Sequence, residues 1–143
     1  MKVKRLTGTA ILPTRGTEGS AGYDLYVDID KEVIIPPHNT VMLHTNIAVE
    51  IPKGYFGAVY ARSGLSTKKG LRPATCVSVI DSDYRGEIGL PIYNDDSEHY
   101  QTIQPHERIA QMVIQPYIAP ELEEVDELHE TDRGEKGFGS SGA

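Results

Sequence analysis

Val79-Ile80-Asp81-Ser82-Asp83-Tyr84-Arg85-Gly86-Glu87, flanked by Cys76-Val77 and by Ile88-Gly89-Leu90, decides how the 143-residue chain is read. Two β-rich runs meet there around a tight polar turn, the pattern of a β-hairpin whose tip carries carboxylates, an aromatic ring and a cation. Hairpin tips take Asn, Asp and Gly for turn geometry alone, so the stretch has a purely structural reading. Yet Asp81 directly follows two β-branched residues, which puts it at a strand end rather than in the loosest part of the loop. A carboxylate fixed on a strand, with Tyr84 three residues on, suits a base and a ring-shaped ligand.

The composition around this stretch is that of one all-β domain: Gly 14, Pro 9, Tyr 8 and many Val and Ile, with frequent turn signals. A formal net charge of −7 argues against a nucleic-acid partner, because phosphate backbones are bound by net cationic surfaces. A small anion held by a local cluster of arginines stays compatible with it. Cys76 is the lone cysteine, so neither a disulfide framework nor a thiolate zinc site is expected, and the five His show no ligand spacing. Met1-Lys2-Val3-Lys4-Arg5 precedes no apolar run of signal-peptide length, and no window approaches a membrane span. The expectation is a cytoplasmic protein with no membrane partner.

Lys2 to Leu6 alternates weakly, as a short first strand. Pro13 to Gly22 is built of small and turn-forming residues and reads as a loop, ending in a strand Tyr23 to Val27 that carries Asp24 near its start. Pro36-Pro37-His38-Asn39 is a turn. Val41 to Ile51 alternates apolar and polar residues and reads as one half-buried strand. Tyr55 to Ala61 is apolar on both faces, as in a strand covered on two sides. A helix starting near Ser63 would offer N–H groups to an anion beside Arg62, or would simply be a capped helix with solvated lysines. Asn94 to Glu98 is an acidic turn, followed by a strand around His99 to Ile103. Arg108 to Ile114 reads as a long, mostly buried strand whose Arg108 and Gln111 need partners, Asp24 being the candidate for Arg108.

The character changes at Ala119-Pro120. Leu122, Val125 and Leu128 recur every three residues in the acidic stretch Glu121 to Glu130, which suits a short helix or an extended arm on a neighbour. The final run, Arg133 to Gly142, sets one Phe and one Arg among glycines. It reads as a flexible terminus or as a loop whose N–H groups take phosphate oxygens.

Five segments, in this order and spacing, resemble the trimeric dUTPases: Ala21-Gly22-Tyr23-Asp24-Leu25; Ala61-Arg62-Ser63-Gly64-Leu65; Val79 to Gly86; Glu107-Arg108-Ile109-Ala110-Gln111-Met112; and Arg133 to Gly142. The resemblance runs from about Ala10 onward. It implies an all-β subunit, a distorted jelly-roll β-barrel with one short helix, over residues 1–118. Residues 119–143 would be a C-terminal arm exchanged in a homotrimer with active sites between subunits. It implies hydrolysis of dUTP to dUMP and pyrophosphate with Mg²⁺, which limits uracil in DNA and supplies dUMP for dTMP synthesis.

The same resemblance implies residue roles. Asp81 is the general base for the attacking water and accepts from the deoxyribose 3′-OH; Tyr84 packs under the sugar and excludes a 2′-OH. Backbone groups around Thr75, Val77, Ser78 and Val79 read the uracil edge. Arg62, Ser63, Gly64 and Gln111 lie on the phosphates. Arg133, Gly139, Ser140 and Ser141 hold the terminal phosphate while Phe138 stacks on uracil. Asp24 supports the site, either through the water shell of a Mg²⁺ carried by substrate phosphates or by pairing with Arg108. Ser78 stands where the family usually has Gly, and Thr75 where bacterial relatives often have Asn. The alternatives are a dCTP deaminase-like enzyme of the same superfamily, or a weakly catalytic nucleotide-binding regulator with a protein partner if the chain is phage-encoded.

Overall fold

The computed structural model describes residues 1–135 and residue 137, and these form eleven strands and one helix. β2 (Gly22–Tyr26), β11 (Arg108–Pro116), β6 (Tyr55–Ala61) and β8 (Ser78–Ile80) lie side by side in that order. β4 (Thr40–His44), β9 (Gly89–Asn94) and β7 (Leu71–Pro73) make a second sheet. β1 (Lys2–Arg5) pairs with β5 (Ile47–Glu50), and β3 (Val33–Ile35) with β10 (Gln101–Ile103). Every pairing is antiparallel. The sheets close around one core in which Leu25, Ile35, Leu43, Leu90, Ile92, Ile103, Ile109 and Met112 are at most 1% exposed. This is the all-β, jelly-roll-like barrel with one short helix that the sequence implies.

Strand composition accounts for the layering. Along β9, Leu90, Ile92 and Asn94 point inward while Gly89, Pro91 and Tyr93 are half-exposed, the period of two expected of a sheet with one wet face. Asn94 is fully buried but satisfied, its side-chain amide donating to the carbonyls of Ile35 and His99. β6 runs between β11 and β8, so Gly57, Ala58 and Val59 are buried in succession. The helix α1 (Ser63–Lys69) begins after Arg62, which takes the N-cap position without a side-chain bond, and buries Leu65. Gly70 ends it in the left-handed region at φ 63°, donating to the Leu65 carbonyl, while Lys68 and Lys69 complement the dipole in the last turn.

Three expectations change. The runs flanking Asp81 do not pair with each other: β8 joins β6, whereas β9 joins β4 and β7. The hairpin arms are β7 and β9, and the segment between them crosses to the other sheet to contribute β8. Val41 to Ile51 is two strands, broken at Thr45-Asn46, where Asn46 takes φ 49° and redirects the chain. Beyond Pro116 the described residues carry neither helix nor strand, and Leu122 and Leu128 are largely exposed, so the short helix is not formed. No helix among the described residues is long and apolar enough to cross a membrane.

Candidate functional site

Two groups of side chains stand out, and they lie apart. The first is built at one end of the four-stranded sheet. Asp24 on β2 accepts from Arg62 Nε at 2.8 Å through Oδ1 and from Arg108 Nη1 at 3.0 Å through Oδ2. Arg62 Nη1 also donates to the Arg108 carbonyl at 3.0 Å, closing a ring across three strands. The Asp24 side chain is 14% exposed, so its charge sits away from most solvent and is matched on both oxygens. The Arg108–Asp24 pair is the one the sequence suggests, although Arg108 itself is half-exposed rather than buried. The Arg62 contact carries no local sequence signal, since the two residues are far apart in the chain.

Gln111 on β11 donates from Nε2 to the Ala61 carbonyl at 3.0 Å. Its amide oxygen lies over Gly22, so a side chain there would push the Gln111 amide aside. Ser63 and Gly64 follow Arg62 on the exposed first turn of α1.

The second group surrounds Asp81, which follows directly on β8 at the strand end its β-branched neighbours predict. The Tyr84 N–H donates to the Asp81 carbonyl at 3.2 Å, and Arg85 Nη1 donates to the Ser82 and Tyr84 carbonyls, so the turn is braced from within. The Tyr84 hydroxyl donates to the Glu87 carbonyl at 2.9 Å, and its ring lies against Gly86 so closely that any side chain there would displace it. Val79, Ile80, Asp81, Tyr84, Glu87 and Gly89 line a cavity of about 370 Å³. Asp81 also borders a larger cleft of about 730 Å³ that Glu50, Lys53, Arg85 and Tyr117 help to line.

The segment before β8 is shaped by its own hydroxyls. Thr75 Oγ1 and Ser78 Oγ bond to each other, the Val77 N–H donates to the Thr75 carbonyl at 2.7 Å, and Cys76 takes φ 61°. Val77 and Val79 are exposed. The two departures from the family pattern, Thr75 and Ser78, therefore meet in one hydrogen bond.

Sequence reasoning left out Glu87. Burial pushes its pKa up, but hydrogen bonds from the His44 ring and from the Asn46 and Thr45 backbone outweigh that and hold the carboxyl below 4.5. The two groups do not converge within one chain. Ile80 pairs with Gly57 on β6, while Arg62 lies beyond the far end of that strand, five residues on and about 17 Å away at about 3.3 Å per residue. Arg133 is described and lies on an exposed turn in which the Gly134 N–H donates to the Thr131 carbonyl. Phe138, Gly139, Ser140 and Ser141 lie outside the described residues.

A family model described as dUTPase matches residues 9–142. The chain belongs to the dUTPase family. Among curated relatives, the deoxyuridine 5′-triphosphate nucleotidohydrolase of Orientia tsutsugamushi (strain Ikeda) is 46% identical, with 99% of each chain covered. That of Syntrophotalea carbinolica is 45% identical, covering 99% of this chain and 96% of the relative. Among solved structures, a mutant of the Staphylococcus bacteriophage 80alpha dUTPase with dUpNHpp superposes with a TM-score of 0.87 at 35% identity, covering 99% of this chain and 98% of that one. The two side-chain groups thus belong to a dUTPase-family fold whose phage counterpart has been solved with a nucleotide analogue.

Proposed function

We propose that this dUTPase-family chain is a dUTP diphosphatase, cleaving dUTP to dUMP and pyrophosphate in the cytoplasm, with Asp81 as the general base. In the reaction a water oxygen bonds to the α-phosphorus, the bond from that phosphorus to the bridging oxygen breaks, and pyrophosphate leaves with the electron pair. The proton from water passes to the Asp81 carboxylate. Placing the water in line and neutralising phosphate charge contribute most of the rate.

The observation that carries this reading is Asp81 at a strand end, sharing a cavity with a Tyr84 ring that is anchored by its hydroxyl bond and fits against Gly86. In the proposal, uracil and deoxyribose occupy this cavity, with the backbone of Thr75 to Val79 reading the base and Tyr84 leaving no room for a 2′-hydroxyl. Asp81 also takes a hydrogen bond from the 3′-OH. Arg62, Ser63, Gly64 and Gln111 serve the phosphates, and Arg133 with residues 138–141 closes over them. The distance along β6 between Asp81 and Arg62 supports sites completed by neighbouring copies in a homotrimer, with residues 119–143 as the exchanged arm.

Asp24 is already engaged through both oxygens by Arg62 and Arg108, which fits a Mg²⁺ held by substrate phosphates and water rather than by a protein cage. When bound, that ion would neutralise phosphate charge, with Asp24 bordering its water shell. Neither the dCTP deaminase alternative nor the regulator is favoured by the family match.

Replacing Asp81 by Asn keeps the shape and removes the base. Pyrophosphate release from dUTP is expected to fall by about three orders of magnitude or more while dUpNHpp binds within a few-fold. Retained turnover in Asp81→Asn would refute the reading.

A further inference from the structure

Among the attachments of the Asp81–Tyr84 loop to the barrel is one side chain that has no assigned part in the reaction. The Glu87 carboxylate accepts from the Asn46 N–H at 2.9 Å through Oε1 and meets His44 Nδ1 at 3.0 Å through Oε2. His44 and Asn46 flank the break between β4 and β5. The next residue continues the attachment: the Ile88 N–H donates to the Ile47 carbonyl, and the Thr45 hydroxyl donates to the Ile88 carbonyl. Glu87 thus fixes its own backbone against a turn that is itself locked to the core. That backbone is what holds Tyr84, because the Glu87 carbonyl accepts the tyrosine hydroxyl at 2.9 Å.

The side chain is unlike the other acidic residues of the loop. Its side chain is 25% exposed, and both of its oxygens have partners, whereas Asp81 and Asp83 are exposed. A carboxylate desolvated to this degree and bonded twice resists displacement, since moving it would leave the Asn46 N–H without its acceptor. It borders the same cavity as Asp81 and Tyr84.

We propose that Glu87 is a positioning residue for sugar selection: by clamping its backbone to the His44–Asn46 turn it holds the Tyr84 ring at the distance that admits deoxyribose and rejects ribose. This rests on the reading of Tyr84 as the residue under the sugar. Releasing the clamp lets the ring retreat, so the cavity admits a 2′-hydroxyl and loses the fit to deoxyribose together. Gln at this position keeps an acceptor for Asn46 and a group for the His44 ring, so it should preserve the clamp without the charge.

The test is the ratio of kcat/KM for UTP to that for dUTP, measured by pyrophosphate release. Glu87→Ala is expected to raise the ratio about tenfold or more, and Glu87→Gln to keep it within about threefold of the parent. Glu87→Asp, one methylene short of its partners, carries the same expectation as Ala should the Ala variant not fold. A folded Ala or Asp variant with the parent ratio would overturn the proposal. Tyr84→Leu, run beside them, separates two kinds of failure. A raised ratio in Tyr84→Leu with none in the Glu87 variants rejects the clamp alone. No change in either rejects the clamp and the role of Tyr84 together.

Discussion

Ser78 stands where the resemblance leads one to expect Gly, and the structure gives its side chain a partner. Its hydroxyl is bonded to Thr75, across a turn in which Cys76 takes a left-handed φ. A hydroxyl bonded within its own loop is not among the groups that line the cavity beside Asp81 and Tyr84. Ser78 also stays in the ladder, opposite Val59. Ser78→Gly is therefore expected to lower stability by about 1 kcal/mol, from the lost bond and the added freedom of the unfolded chain. Its kcat/KM for dUTP should stay within about threefold of the parent. Thermal unfolding and pyrophosphate release measure the two halves separately. A gain in kcat/KM of tenfold or more would show that the serine side chain obstructs uracil after all.

At the scale of elements, charged side chains join segments that no ladder joins. Asp28, just after β2, accepts from Thr7 and Thr9 beyond β1 and from Asn46 Nδ2 at 2.9 Å in the break between β4 and β5. Burial raises its pKa, but the bonds from Thr7, Asn46 and Thr9 outweigh that and hold the carboxyl below 3.8. A folded pKa below the unfolded one means stability that is present above pH 3.8 and lost as pH falls through the lowered value. Asp28→Asn should therefore cost about 1 kcal/mol at pH 7, and the gap in melting temperature from the parent should shrink as pH falls below about 3.8. A gap independent of pH between 7 and 3 would reject the assignment. The same bonds explain what the sequence leaves illegible. Apolar Val41, Leu43, Ile47, Val49 and Ile51 keep one period on both sides of Thr45-Asn46, so period alone joins β4 to β5. The turn is set by Asn46's contacts to Asp28 and Glu87, which are remote in sequence. Likewise the runs on either side of Asp81 look like hairpin arms because each has strand composition, but composition does not say which neighbour a strand chooses. Arg108 was legible because a cation on an apolar strand requires a carboxylate. The strand-end position of Asp81 is legible because the β-branched residues that set it are its immediate neighbours.

The whole molecule presents Asp81 and the Arg62–Asp24–Arg108 cluster at opposite ends of β6, too far apart for one triphosphate to span within one chain. It also carries, beyond Pro116, a segment whose described residues form no ladder and on which Ile118, Leu122 and Leu128 are 92%, 99% and 88% exposed. Burying side chains of this kind yields about 1.5–3 kcal/mol each, enough to reward docking on a neighbour. In the proposed homotrimer neighbouring copies would meet both features, and truncation separates the two. Removing residues 133–143 deletes the run proposed to close over the phosphates and spares Leu122 and Leu128. The shortened chain should sediment at three times its own mass while pyrophosphate release falls at least about a hundredfold. Removing everything after Ile118 also takes away the apolar contacts and should weaken the assembly, seen as dissociation at micromolar concentrations. If the shorter truncation keeps full turnover, the last residues do not close the site. If the intact chain and both truncations each sediment at the mass of a single chain, the separation along β6 needs another explanation.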